Sequence, residues 1–220
     1  MKRLLLLILV IFLTSCSTTY MVDSWKNPEI ETYEPSKVLV VGLASNIAAR
    51  QKFEDKLKEQ LQMRGTEAYT SLEVFKPSFK TEKLTEEELI VSEENLIREG
   101  FDSIIRSKVL GVEDKIAYTK NFDVYDETFV RFKEDYLRYQ DIFYNPDYYE
   151  EYTIYHAETS MYCICPTKDR ELIWKGYIDV VDPQSTDKTV SDYVELIIEV
   201  LEQQQLINPN ILKVTEEPLK

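Results

Sequence analysis

Apolar positions recur along the chain in three rhythms: unbroken runs, four-residue stripes and alternation. Leu4 to Leu13 is an unbroken run preceded by Lys2 and Arg3. Lys37–Leu43 (KVLVVGL) is a second run, rich in β-branched residues, the pattern of a strand covered on both faces. Ala49, Phe53, Leu57 and Leu61 then recur every four residues, which predicts a helix with Asn46 as its cap and Gly65 as its stop. A short strand is expected over 67–71, then a loop over 72–84 holding Pro77. Thr85 and Glu88 have capping-box spacing and open a helix that turns Leu89, Leu96 and Ile97 inward and stops at Gly100. Residues 101–113 predict a strand in which Gly111 marks a bulge or bend, as Gly176 does in a later one. Residues 152–165 and 171–181 alternate on either side of the turn 166–170, an antiparallel hairpin. Val190, Val194, Ile197, Ile198 and Leu201 mark a last amphipathic helix.

This order predicts one α/β domain over residues 37–205, three layers deep. Its mixed sheet combines a parallel β-α-β-α-β unit, an antiparallel hairpin and a C-terminal helix, because helix-length crossovers impose parallel strands. The segment 16–36, with Pro28 and Pro35, is expected to be a tether in which Trp25 docks on the domain. Residues 206–220 are expected to be a loosely held tail.

The first run covers only about half of a ~30 Å hydrocarbon core, too short to span it as a helix. With its basic start and the small residues after it, the run has the shape of a secretory signal peptide over residues 1–15. Leu13-Thr14-Ser15-Cys16 resembles the bacterial lipobox. The resemblance implies cleavage before Cys16 and attachment of a thioether-linked diacylglycerol and an amide-linked acyl chain (palmitate or similar) to it. Several chains anchor a protein firmly, at about 0.8 kcal/mol per buried methylene. Ser17 stands where an Asp would resemble an inner-membrane retention signal, so the expected location is the outer membrane, facing the periplasm.

Residues 114–151 fit no element of the core and read as an insertion. Ten of the fifteen tyrosines fall between Tyr118 and Tyr162, and residues 121–152 hold nine acidic side chains against three basic ones. Tyr125, Tyr136, Tyr139, Tyr144, Tyr148 and Tyr149 are candidate partner-binding residues, since tyrosine combines a stiff apolar face with a polar tip. The alternative is a hairpin extension whose rings cover its own sheet.

Charge and motif content narrow the chemistry. The chain carries 26 Lys+Arg against 40 Asp+Glu, a formal net charge of −14 that disfavours nucleic acid as a partner. His156 is the only histidine, so multi-histidine metal sites are excluded; on an alternating strand it reads as a surface or hydrogen-bonded residue. No nucleophile elbow, phosphate loop or dinucleotide fingerprint occurs, so no catalytic residue and no cofactor is assigned. Cys163 and Cys165 are expected as two packed thiols, with a strained disulfide as the alternative.

The lipobox, Asp23-Ser-Trp-Lys-Asn-Pro28, the Lys37–Leu43 strand and Leu172-Ile-Trp-Lys-Gly176 together resemble bacterial envelope lipoproteins with a single small α/β domain. The element order is also similar to the amino-terminal domain of the Tol-system translocation protein and to the core of curli-type secretion lipoproteins. The resemblance implies no catalytic residues. It points to a non-catalytic, lipid-anchored binding or scaffolding module, with a small-ligand or glycan-binding lipoprotein as the alternative.

Overall fold

A computed structural model of the chain describes residues 18–44, 46–75, 85–118, 137, 149–165 and 171–210. Its strands are β1 (Thr19–Lys26), β2 (Lys37–Leu43), β3 (Glu67–Thr70), β4 (Ser103–Tyr118), β5 (Tyr149–Cys163) and β6 (Leu172–Val181). Its helices are α1 (Ile47–Gln62), the single turn α2 (Ser71–Val74), α3 (Glu86–Arg98) and α4 (Thr186–Gln203). The six strands form one mixed sheet in the order β1-β6-β5-β4-β2-β3. β2 is parallel to β3 and β4, whereas β4, β5, β6 and β1 follow one another antiparallel. The α/β architecture read from the sequence is the one observed.

Alternation along the strands sorts side chains into two layers. Val38 and Val40 join Ile105, Met161, Trp174 and Ile178 under α1 and α4, which add Phe53, Leu57 and Leu61, and Val194, Ile197 and Leu201. Leu39 points the other way and packs with Leu96 of α3, Phe101 and Ile164 in a smaller second core. Helix α3 is held mainly by its C-terminal half, because Leu89, expected inward, is exposed together with Ile90 and Val91.

Local signals set the helix ends. The Asn46 side chain accepts the Ala49 N–H at 3.1 Å, and the Thr85–Glu88 capping box is formed in both directions. Helices α1, α3 and α4 all close with the same paired backbone bonds, Thr66 N–H to Leu61, Phe101 N–H to Leu96 and Leu206 N–H to Leu201 being the longer-range member of each. The left-handed residue is Gly65 (φ 80°) or Gly100 (φ 86°) in the first two, but Gln205 (φ 58°) in α4. A side chain there clashes with its own carbonyl, so Gln205→Gly is expected to raise stability by about 0.5–1 kcal/mol. Thermal melting of the variant checks this; an unchanged or lower melting temperature would count against it.

Several boundaries differ from the sequence reading. The tether expected over 16–36 is part of the domain from Thr19 onward: β1 covers the edge of β6 from Thr19↔Val180 to Lys26↔Trp174, and Ile30 is buried. Only one face of β1 meets the core, so its sequence stays polar enough to pass for linker. Trp25 is 45% exposed rather than docked. The stretch expected as a tail over 206–220 begins inside the domain, because Leu206 and Ile207 are buried beneath the end of α4. Ser71 leaves the third strand and, with residues 72–74, forms α2 instead of loop. The strand expected over 101–113 runs on to Tyr118, and β5 starts at Tyr149, so both flanks of the 114–151 insertion are paired strand. Cys163 and Cys165 form a disulfide, not two thiols. β5 ends at Cys163, so the chain bends and brings the two Cα atoms to 5.4 Å, within the range a disulfide spans.

Candidate functional site

A cleft of about 390 Å³ opens at the end of the sheet where β2 hands over to α1. Its walls come from Leu43 at the end of β2 and Ala44 after it, Ala49, Arg50 and Phe53 of α1, Val109 of β4, Tyr155 and Ala157 of β5, Val180 of β6, Pro183 before α4, and Val190 and Tyr193 within it. Crevices at the carboxyl ends of parallel strands are where open α/β sheets take ligands. Gly42 lets α1 come close, since a Cβ there would lie 3.1 Å from Cγ of Arg50 and 3.2 Å from Cδ1 of Phe53.

Two buried polar networks stand behind the cleft wall and support it. The Glu54 carboxylate, fully buried, accepts the Gly42 N–H (2.9 Å), Arg50 Nε (2.8 Å) and the Ser71 hydroxyl (2.6 Å), while Arg50 Nη2 also donates to Ser71 Oγ (2.6 Å). A file of hydroxyls runs from Ser107 to Thr159 (2.5 Å) and on to Tyr193 (2.9 Å). Burial raises the Tyr193 pKa above its ordinary value, against the opposing hydrogen bonds from Thr159 and Ser107. Phe53 meets the Tyr193 ring edge-on, with centroids 6.0 Å apart. The arrangement presents a largely apolar wall in which Arg50 and the Ser107, Thr159 and Tyr193 hydroxyls are held in hydrogen bonds.

The rim of the cleft is apolar and exposed. Leu43, Val109 and Tyr155 border it, and Leu110 and Val112 continue the patch along β4, with exposures between 37% and 57%. Contiguous apolar surface of this kind marks interaction sites, where scattered single residues do not. Leu110 owes its exposure to a bulge between Val109 and Gly111, which the glycine in this strand had suggested. The sequence signal for the rim was the loss of alternation in Val109-Leu110, which two-sided burial would also produce.

Backbone pairing brings the other singled-out segments to this same end. Val181 N–H donates to the Thr18 carbonyl at 2.7 Å, so the chain leaving Cys16 enters the sheet beside Val180. β4 and β5 continue as a two-stranded arm past the last β6 pair, Ile154↔Val181, to Tyr118↔Tyr149. Tyr118 and Tyr149 therefore stand at the far end of this arm. Of the candidate tyrosines, Tyr149 is the first residue of β5, whereas Tyr125, Tyr136, Tyr139, Tyr144 and Tyr148, like Cys16, lie outside the described residues.

The opposite face of β5, β6 and β1 carries charge and aromatic side chains. Glu158 meets Lys108 (3.1 Å) and Lys175 (3.7 Å). Burial acts against its ionised form, but hydrogen bonds from Ser160 and Lys108 and the two lysine charges outweigh it and hold the carboxyl below its usual range. Beside these lie exposed Tyr20, Trp25 and Tyr177, and Arg106 bonded to the Tyr162 hydroxyl at 3.1 Å.

His156 lies on this face, with Nδ1 2.6 Å from Asp179 Oδ1 and Nε2 3.5 Å from Glu113 Oε2. The hydrogen bond to Asp179 is the main cause of its raised pKa. A histidine pKa raised by folding adds stability that is complete below the unfolded value of about 6.5 and is lost as pH rises through the folded value. An NMR titration should give a midpoint above about 6.5 that falls back in Asp179→Asn. A wild-type midpoint at or below the free-histidine value would overturn this. Among the described residues, no group of three or more His, Cys, Asp or Glu side chains is placed to hold a metal ion.

No protein-family model matches the chain, and no curated protein matches it in sequence. Solved structures similar to it include the PelC dodecamer of Paraburkholderia phytofirmans, at 9% identity and a TM-score of 0.43, covering 85% of this chain and 97% of that one. Lipoprotein GNA1162 of Neisseria meningitidis matches at 11% identity and a TM-score of 0.40, covering 77% and 99%. A minor lipoprotein of Acinetobacter baumannii matches at 8% identity and a TM-score of 0.34, covering 79% and 98%.

Proposed function

We propose that this chain is a lipid-anchored, non-catalytic binding or scaffolding module of the bacterial envelope, held in the outer membrane through Cys16 and facing the periplasm. The observation that carries the reading is the exposed apolar rim of Leu43, Val109, Leu110, Val112 and Tyr155. Leu43, Val109 and Tyr155 of this rim line the cleft at the end of the sheet where the chain from Cys16 enters, and Leu110 and Val112 lie next along β4. A partner engaged there would meet the rim and the β4–β5 arm beside it. Aromatic side chains concentrate binding energy at such contacts, about 2 kcal/mol or more for a well-packed anchor.

The test joins anchor and rim. Cys16→Ala is expected to move the protein from the detergent phase to the aqueous phase. A photo-crosslinking residue at Leu110 is expected to give one discrete envelope adduct in cells, absent when the same residue replaces exposed Glu87. Unchanged partitioning would remove the anchor, and identical adducts from both positions would remove the rim.

The glycan-binding alternative rests on a different surface. Trp25, Tyr20 and Tyr177 stand exposed on the other face of β1 and β6, flanked by Asp23, Lys175 and Asp179, an aromatic platform with polar edges that suits a sugar ring. A rise in melting temperature with an oligosaccharide, abolished by Trp25→Ala, would favour that reading.

A further inference from the structure

The walls of the cleft are largely hydrocarbon, and most of their polar side chains are already engaged. Arg50 is bound to Glu54 and Ser71, and the Ser107, Thr159 and Tyr193 hydroxyls are bound to one another. What remains facing the space is mainly hydrocarbon, from Leu43, Phe53, Val109, Val180 and Val190. An ionised ligand would give up most of its hydration to a largely hydrocarbon wall, with only the Thr186 and Thr189 hydroxyls at the start of α4 to meet it. A flexible hydrocarbon loses nothing of that kind, and the volume of about 390 Å³ falls in the range of small-molecule pockets, about 300–1,000 Å³.

One such hydrocarbon has a fixed address. Val181 N–H is bonded to the Thr18 carbonyl, and Thr19 pairs with Val180, itself a cleft residue. Cys16 stands two residues before Thr18, so their Cα atoms are within about 7 Å of each other even with the chain fully extended. On the reading that Cys16 is lipidated, on which this inference rests, its acyl chains start beside the mouth of an apolar cleft. We infer that the cleft takes one acyl chain of the Cys16 lipid of the same molecule. Tethering gives that chain a high effective concentration at the cleft, which a free phospholipid lacks. The remaining chains are left for the membrane, so occupation of the cleft would lower the grip of the anchor.

The full-length protein, made in cells fed a diazirine-bearing palmitate analogue, tests this. After purification in detergent and irradiation, mass spectrometry is expected to find the Cys16 peptide joined through its acyl chain to peptides carrying Val180 or Val190. Ala49→Trp, which fills the cleft from α1, is expected to reduce that product at least tenfold while the circular dichroism spectrum is kept; Val190→Trp replaces it should Ala49→Trp not fold. A lipidated Cys16 peptide crosslinked only to detergent or phospholipid overturns the inference and leaves the anchor standing. A cleft crosslinked to phospholipid chains alone overturns it equally, as does a product undiminished by both variants. A Cys16 peptide without lipid overturns the anchor, and the inference with it.

Discussion

Glu54→Ala is expected to destabilise the domain by about 3–5 kcal/mol, the usual cost of removing one member of a buried ion pair. The carboxylate is fully buried and serves four donors: Gly42 N–H, Arg50 Nε, the Ser71 hydroxyl and, at 3.3 Å, Leu72 N–H. Alanine leaves the Arg50 charge, only 15% exposed, without its counter-charge, and strips the end of β2 of its link to α1 and α2. Glu54→Gln keeps the shape and an acceptor and is expected to cost about 1.5–3 kcal/mol, the range for hydrogen bonds to a charged group. Urea unfolding of both variants checks the order. Since domains are stable by only about 5–15 kcal/mol, Glu54→Ala should remove a large share of that margin. A loss below about 1 kcal/mol would show that the pair is dispensable. The cleft would suffer with it, because Arg50 forms part of its wall.

Gly176→Ala is the second large effect expected, about 2–3 kcal/mol, through overpacking rather than lost contacts. A Cβ at Gly176 would lie 2.4 Å from Cη2 and 2.7 Å from Cζ2 of Trp174, with Met21 Sδ at 3.2 Å. Trp174 is fully buried and its indole is rigid, so neither ring nor strand can give way cheaply. Trp174→Leu in the same chain should recover part of the loss by vacating the space the methyl needs, a coupling that a double-mutant cycle reads directly. Strict additivity would show that Gly176 acts through the backbone and not through Trp174. A bulge or bend was the reading of Gly176 from sequence. The structure keeps regular pairing there, Thr159↔Gly176 on one side and Ser24↔Gly176 on the other, so the glycine makes room for a ring two residues earlier on the same face.

Where residues act on their near neighbours, the sequence alone determined the outcome. The Thr85–Glu88 box, the Asn46 cap and the Gly65 and Gly100 stops depend on backbone groups within a few positions, and each forms as its spacing predicts. The KVLVVGL run names a doubly covered strand, because burial on both faces leaves no polar position to disguise it. The helix-length crossovers around it required the parallel arrangement of β2, β3 and β4.

Contacts between distant segments were decided only by the tertiary structure. Thr19–Lys26 reads as linker because an edge strand keeps one face in water, and only the open edge of β6 makes it a strand. Glu54 stands in α1 between residues that mark a solvated face, and its burial depends on Ser71 and Gly42, which chain topology alone brings to it. Leu206 and Ile207 are too short a stretch to show periodicity, and they become core because α4 turns over them. The cleft has the same origin. Leu43, Arg50, Val109, Val180 and Tyr193 come from β2, α1, β4, β6 and α4, and no spacing in the chain encodes the distance between elements that meet only once the sheet is assembled.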